Sequence, residues 1–439
     1  MFIRLFKRLI YNHFSLYNFD NIKNVNNFDI LINVIIFDNI KNVIMKNIVG
    51  QIASKEDFYP RPQEIRRIIR NLNAGANIQL TAPRRVGKSS ILIHLQDYPP
   101  EGFLFVYIDV ESARTKQDYY RKIYKEILRT EAIIEKKNLI AQLKEGTHQL
   151  LKKLKNVKIA GIAEIVLNEE EDVDYEEELL NFLGGIDLRG EKLVIMVDEF
   201  PEVLLNMVED AKGEQTDARS FLQSNRAFRN QGTLRERVQF IYTGSNSLNV
   251  TAANLNSTEL INDIPATPVN PLKPEEAKDL ITQILLEYGY HIKEGEMNYL
   301  INRVEWFIPF YFQLVIQEII NYIDPEDEVS KEVIDYAMTK IADQQNDHHF
   351  EHYVKRLKRV FPESQLKFVK TFLNALAKSG QLSRDEVFNL GNTVIAEEEI
   401  KRVLNSLIYD GYIIKTTNET VTYKFNSPIL KLWWYNHES

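Results

Sequence analysis

The stretch Ala82-Pro83-Arg84-Arg85-Val86-Gly87-Lys88-Ser89-Ser90 places a glycine, a lysine and a hydroxyl at spacings that suit a phosphate group. It follows the short run Asn77 to Ala82, which reads as a buried strand, and precedes an apolar helix pattern beginning at Ile91. Strand, loop and helix in that order match the pattern GxxxxGK followed by Ser or Thr, with Ala82 at the first glycine. In such a loop successive backbone N–H groups and the positive end of the new helix wrap a polyphosphate, which a bulky residue at Gly87 would block. Lys88 would then neutralise the β- and γ-phosphates of a bound polyphosphate, and the Ser89 hydroxyl would ligate Mg²⁺. The plainer alternative is an ordinary strand-to-helix turn with surface basic residues.

A second constellation complements the first. Glu191 to Val197 is a nearly continuous apolar run, hence a strand buried on both faces, and it ends in Asp198-Glu199. In an open α/β sheet the ligand crevice lies beyond the carboxyl ends of the strands, so these acids can face the Lys88 loop. Asp198 would hold the magnesium shell through water, and Glu199 would polarise the attacking water as general base. Helix capping ahead of Pro201 is the alternative for the pair.

These groups need a sheet to hold them. Phe103–Asp109, Val238–Ser245 and Thr267–Val269 supply three further strands, making five that alternate with helices: an α/β fold with a parallel five-stranded sheet. Thr243 and Ser245 lie where the fourth strand leaves the sheet, and either one could hold the attacking water or γ-phosphate, or serve as a strand-end turn residue. The chain of 439 residues has room for about two to four domains. Its 44% hydrophobic and 26% charged residues exclude a wholly disordered or fibrous protein. With no cysteine there is no disulfide framework or thiolate metal site, which reads most simply as a cytoplasmic protein. The net charge of −8 leaves DNA only a local basic patch to bind.

Taken together the residues resemble the archaeal-type ATPase family within the STAND and AAA+-like P-loop ATPases, from about Glu56 to the C-terminus. Phe58 to Ile65 resembles that family's opening box F-x-G-R-x-x-E-L, with Arg61 and Glu64 matching and Pro60 replacing the glycine. The resemblance implies that this box flanks the nucleotide base. Ala82 to Ser89 is similar to its G-x-R-R-x-G-K-S/T loop, Asp198-Glu199-Phe200-Pro201 to its D-E segment, and Val238 to Ser245 to its sensor strand. There are departures. No arginine lies between Asn246 and Ala266, where AAA+ relatives carry an arginine finger. Arg226, Arg229, Arg235 and Arg237 are available substitutes, with surface or salt-bridge roles expected of each. The family's G-x-P signature stands as Phe307-Ile308-Pro309, where Pro309 should start or kink a helix and the aromatics around it should be core.

The expected organisation is a P-loop core over residues 45–270, a helical lid over 271–346 and a winged-helix domain over 347–439. The last is read from helices over Ser364–Lys378, Ser383–Asn389 and Ala396–Asp410, followed by two short strands. Its presumptive recognition helix opens with Glu397-Glu398-Glu399, offset only by Lys401 and Arg402, so docking to a protein partner or to itself is favoured over DNA. His348-His349 has no third metal ligand placed beside it, and Trp433-Trp434-Tyr435 should pack the final helix.

A charged insertion spans 133–190, with lysines from Lys136 to Lys155 ahead of the acidic run Glu169–Glu178, either as a solvated face or as subunit-pairing blocks. In residues 1–44 the heptad Phe19–Val25 recurs as Phe37–Val43. The residue types are those of AT-rich codons, so this stretch is read as upstream sequence with Met45 as the working start. Its rival is a membrane anchor at Phe2–Phe14, carrying Arg4, Lys7 and Arg8. No window reaches about 18 uninterrupted apolar residues, so no membrane span is expected. The function expected is a slow, Mg²⁺-dependent ATPase cycling between ATP and ADP as a conformational switch. A DNA-binding regulator or mobile-element ATPase, and a non-catalytic scaffold with structural nucleotide, are the alternatives.

Overall fold

Alternation along three apolar strands dictates the layers. Phe103 and Phe105, Val194 and Met196, and Ile241 face one apolar core, whereas Leu104, Val106, Ile108, Leu193, Ile195, Val197, Phe240 and Tyr242 face a second. With both faces covered, the strands can be parallel and apolar throughout. The computed structural model describes residues 45–130, 173–232, 234–417 and 420–438. The N-terminal repeat, the Phe2–Phe14 stretch, the insertion lysines and Glu169–Asp172 lie outside these residues.

In chain order, α1 (Pro62–Asn73), β1 (Ile78–Thr81), α2 (Lys88–Asp97), β2 (Phe103–Asp109), α3 (Lys116–Arg129) and α4 (Tyr175–Gly185) lead to β3 (Lys192–Asp198). Then follow α5 (Phe200–Asp210), α6 (Thr216–Arg229), α7 (Leu234–Arg237), β4 (Val238–Tyr242), α8 (Leu248–Asn254) and β5 (Ala266–Pro268). The strands form one parallel sheet in the order β2-β3-β4-β1-β5, as the sequence led us to expect of its number and direction. Because every strand points the same way, the ends of β1, β3 and β4 emerge at one edge, with β4 between the strand that leads into Ala82–Ser89 and the strand that ends in Asp198. The acidic run does not wholly extend into solvent. Asp174 caps α4 by accepting from the N–H groups of Glu176 and Glu177, whose charges sit favourably at the helix N-terminus, while Tyr175, Leu179, Phe182 and Leu183 are buried in the second core.

Beyond the sheet come α9 (Pro274–Glu287), α10 (Glu294–Val304), α11 (Pro309–Tyr322) and α12 (Lys331–Ile341). Pro309 starts α11 rather than kinking it, as its missing N–H and fixed φ favour at a first helical position. Next are α13 (Glu351–Val360), α14 (Glu363–Ser379), β6 (Leu382–Ser383), α15 (Arg384–Gly391), α16 (Glu397–Tyr409), β7 (Ile413–Thr417), β8 (Val421–Phe425) and α17 (Pro428–His437). The last three strands pair antiparallel in the order β6-β8-β7. Trp433 and Trp434 are buried and Tyr435 is exposed. The first apolar core runs without a break from the sheet face through α9–α12 into α14–α17.

Phe240, on β4, is 1% exposed and packs against Phe228 and Tyr242 at centroid distances of 6.1 and 5.7 Å. Truncation by Phe240→Ala should therefore cost about 3–5 kcal/mol, read as a lower midpoint in urea unfolding.

Candidate functional site

The loop between β1 and α2 is shaped by two left-handed residues. Gly87 has φ 98°, where a side chain would be strained, and Arg85 adopts φ 64° despite its bulk, at a cost of about 1–3 kcal/mol. Helix α2 begins at Lys88 with no side chain capping it, so its first N–H groups and the loop interior form a ready anion cradle. Lys88 is buried, and among the described residues its Nζ donates only to carbonyls of its own loop, Ala82 O and Pro83 O, each at 3.2 Å. Burial pulls its pKa down to about 8, with the carboxylates of Glu199 and Asp198 opposing the fall. Arg84 lines the same cleft with neither ion pair nor hydrogen bond among the described residues. Cationic groups without a strong acceptor are what a polyphosphate fits.

Across the cleft stand the acids. Ser89 Oγ donates to Asp198 Oδ2 at 2.5 Å, the Tyr107 hydroxyl donates to the same oxygen at 3.0 Å, and Glu199 N donates to Asp198 Oδ1 at 3.0 Å. Burial, then the neighbouring Glu199 charge, raises the Asp198 pKa above the usual carboxylate range. Glu199 itself sits at φ 58° just before α5, without capping that helix. Its Oε2 accepts from Ser245 N at 2.8 Å and Ser245 Oγ at 2.9 Å, and Oε1 carries no hydrogen bond among the described residues. A hydroxyl, a buried carboxylate and a second carboxylate with an unengaged oxygen are a donor set suited to Mg²⁺ and to orienting a water.

The cleft has a volume of about 250 Å³ and brings together Arg61, Arg84, Arg85, Val86, Gly87, Lys88, Ser89, Ser90, Asp198, Glu199 and Ser245. Ala82, Pro83, Glu64 and Thr243 do not line it. Ala82 and Thr243 border a separate void of about 10 Å³, where Thr243 Oγ1 is buried without a partner. Arg61 grips the loop from outside, donating to Val86 O at 3.3 Å and to Asn270 O, and pairs with Glu64 at 3.5 Å. The cleft is also lined by Gly50–Ala53 and by Leu280, Pro309, Phe310 and Gln313. Ala53 N donates to Ser90 Oγ, and Arg85 donates to Gly50 O while its guanidinium lies 4.6 Å over the Phe310 ring.

Sequence reasoning missed Tyr107 and Arg356 as well as the Gly50–Ala53 stretch. Tyr107 left a faint signal, a polar-tipped aromatic in an apolar strand two residues before its acidic end. Arg356 left none. It is buried on α13, donates to Ser245 O and ion-pairs with Asp410, which follows α16. Of the arginines weighed as finger substitutes, none lines the cleft. Arg226 donates to Glu259 O and Asn262, and Arg237 to the Gly184 and Ile186 carbonyls. Arg229, expected at the surface, is instead 1% exposed and held by both oxygens of Asp263, because a bidentate pair compensates its burial.

The depressed Lys88 pKa has a measurable consequence. Between about pH 8 and 10.5 the unfolded chain holds this proton while the ligand-free folded protein does not, so raising the pH across that window favours folding. The melting temperature of the wild-type protein relative to Lys88→Met should accordingly rise from pH 8 to 10.5, by differential scanning fluorimetry.

No protein-family model and no curated protein matches the chain. Among solved structures it is similar to the Walker-type ATPase PABY2304 of Pyrococcus abyssi, at 16% identity over 89% of this chain and 98% of that one, with a TM-score of 0.58. It is also similar to the ORC2 protein of Aeropyrum pernix, solved in ADPNP and ADP complexes, at 11% identity over 85% and 91% of the two chains, with a TM-score of 0.50. At these identities the likeness establishes the fold, an α/β core of the kind found in P-loop ATPases.

Proposed function

We propose that this protein binds ATP with Mg²⁺ and hydrolyses it slowly, the bound nucleotide setting the arrangement of a P-loop core (45–270), a helical lid (271–346) and a winged-helix domain (347–439). The observation that carries the reading is the meeting of Lys88, Ser89, Asp198, Glu199 and Ser245 at one edge of a parallel sheet. Backbone N–H groups from Arg84 to Ser89 and the Lys88 ammonium would take the phosphates, and Ser89, with Asp198 through water, would hold the metal, which would supply charge neutralisation at the phosphates. Glu199 accepts the proton of the attacking water at Oε1 while Ser245 fixes its other oxygen. Leu280, Pro309 and Phe310 bring lid helices to the base end of the cleft, where Arg61 stands in the box implied to flank the base. A nucleotide would therefore touch both core and lid.

The switch is supported by contacts from the C-terminal part. Arg356 reaches Ser245 O, and Arg359 reaches Glu202 Oε2 at 2.6 Å and Asn206 Oδ1 at 2.9 Å on α5. Gly411 rests on the phosphate loop so closely that a Cβ there would lie 3.1 Å from Pro83 Cβ and 2.6 Å from Trp306 Cη2. Protein docking or self-association remains favoured over DNA as the use of the winged helix. Lys401, one of two cations on α16, is already paired with Glu397 at 3.0 Å and Glu398 at 2.8 Å. No described helix is long and apolar enough to cross a membrane.

Two variants test the site. Lys88→Ala should abolish binding of a fluorescent ATP analogue, and Glu199→Gln should keep binding while phosphate release stops; parental turnover in both would sink the assignment. For the switch, ATP addition should change hydrogen exchange in α13 and around Gly411, and Arg356→Ala should weaken that response. An exchange pattern indifferent to nucleotide would leave the coupling without support.

A further inference from the structure

We propose that Tyr107 is a positioning residue for the divalent-cation site, holding the Asp198 carboxylate in the orientation that the metal shell requires. The inference rests on the reading of the cleft as an Mg²⁺–nucleotide site and adds a residue from a strand that carries none of its motifs. Tyr107 lies on β2 directly opposite Met196 of β3, two positions before the Asp109–Asp198 pair that ends both strands. Its ring is half-buried on the α2 side of the sheet, and its hydroxyl reaches Asp198 Oδ2.

Three donors restrain that carboxylate: the Ser89 and Tyr107 hydroxyls on Oδ2, and the Glu199 N–H on Oδ1. Two come from other elements, α2 and β2, and the third from the residue that follows Asp198, so together they fix both the rotation and the tilt of the carboxylate plane. Ser89 cannot do this alone. Its oxygen is the atom offered to the cation, so its position must follow the metal, and a carboxylate tethered on Oδ2 only through Ser89 would follow it as well. Tyr107 is tied to the sheet and gives Oδ2 a donor that is independent of the cation. Side chains that orient ligating groups in this way commonly govern metal affinity without touching the metal.

The packing alternative is separable, because Tyr107→Phe keeps the ring and removes only the hydroxyl. The probe is Mn²⁺ binding by electron paramagnetic resonance, with protein in excess of a non-hydrolysable ATP analogue, compared among wild type, Tyr107→Phe and Asp198→Asn. Nucleotide affinity in EDTA and the melting temperature in EDTA are measured alongside. The expected result is roughly 10-fold weaker Mn²⁺ binding in Tyr107→Phe, unchanged metal-free nucleotide affinity, and a matching rise in the Mg²⁺ concentration for half-maximal phosphate release. Equal Mn²⁺ binding in Tyr107→Phe and wild type would overturn the role of Tyr107 while leaving the site reading intact. So would a loss of metal-free nucleotide affinity in Tyr107→Phe as large as its loss of Mn²⁺ affinity. A wild-type protein that binds nucleotide but retains no Mn²⁺, or binds no nucleotide at all, would overturn the site reading itself.

Discussion

An ammonium group buried beside two carboxylates, with only its own loop's carbonyls to hold it, is the constraint around which this molecule is built. Desolvation disfavours the charge on Lys88 and the charge on Asp198 alike, and their mutual attraction compensates only in part. Arg84 and Arg85 add positive charge to the same cleft, and Arg85 and Glu199 hold left-handed conformations that side chains disfavour. A sequence selected for stability alone would relax each of these. They persist because the surrounding elements over-determine them: Arg61 grips Val86 O, Ser245 fixes Glu199, and the apolar core beneath β1, β3 and β4 leaves the strand ends no freedom to drift.

The two halves of the cleft carry complementary groups. The loop offers donors, cations and a single hydroxyl, that of Ser89, and the end of β3 offers carboxylates whose repulsion needs a cation nearby. β4 separates the two strands in the sheet, so the halves start one strand apart. Ser89 spans that gap through its bond to Asp198. Parallel strand direction is what makes this possible, since an antiparallel neighbour would have sent one half to the opposite edge of the sheet.

The strands and the two chemical halves were legible because their signals are local. A run such as Leu193 to Val197 has few alternatives to a doubly buried strand, and Gly87-Lys88-Ser89 fixes its own geometry. Thr243 against Ser245 was not decidable, because residues two apart share a strand face and only the path after β4 separates them: Thr243 turns into a small void and Ser245 into the main cleft. The burial of Arg229 depends on Asp263, thirty-four positions away, and no periodicity encodes such a pair. Gly50–Ala53 and Phe310 join the cleft through tertiary packing alone. Arg356 lies farther still, with Ser245 111 residues earlier. Charged residues on an amphipathic helix read as solvated until the surface that covers them is known.

Ser245 is where the Glu199 carboxylate of the cleft and the C-terminal part converge. Its N–H and hydroxyl hold Glu199, while its carbonyl accepts from Arg356, whose guanidinium is balanced by Asp410. Any movement of α13 that carries Arg356 away removes a buried donor from that half-buried carbonyl, at a cost of up to about 1–3 kcal/mol where water does not replace it. That cost can be avoided if the peptide rotates toward another donor, and rotation would displace the N–H and hydroxyl that fix Glu199. On the proposed reading the same residue would then relay in both directions, since whatever draws Glu199 toward a nucleophilic water also reorients the acceptor that Arg356 requires. Linkage makes such coupling reciprocal: a C-terminal arrangement that favours the Arg356 contact must be favoured in turn by the ligand state that best uses Glu199.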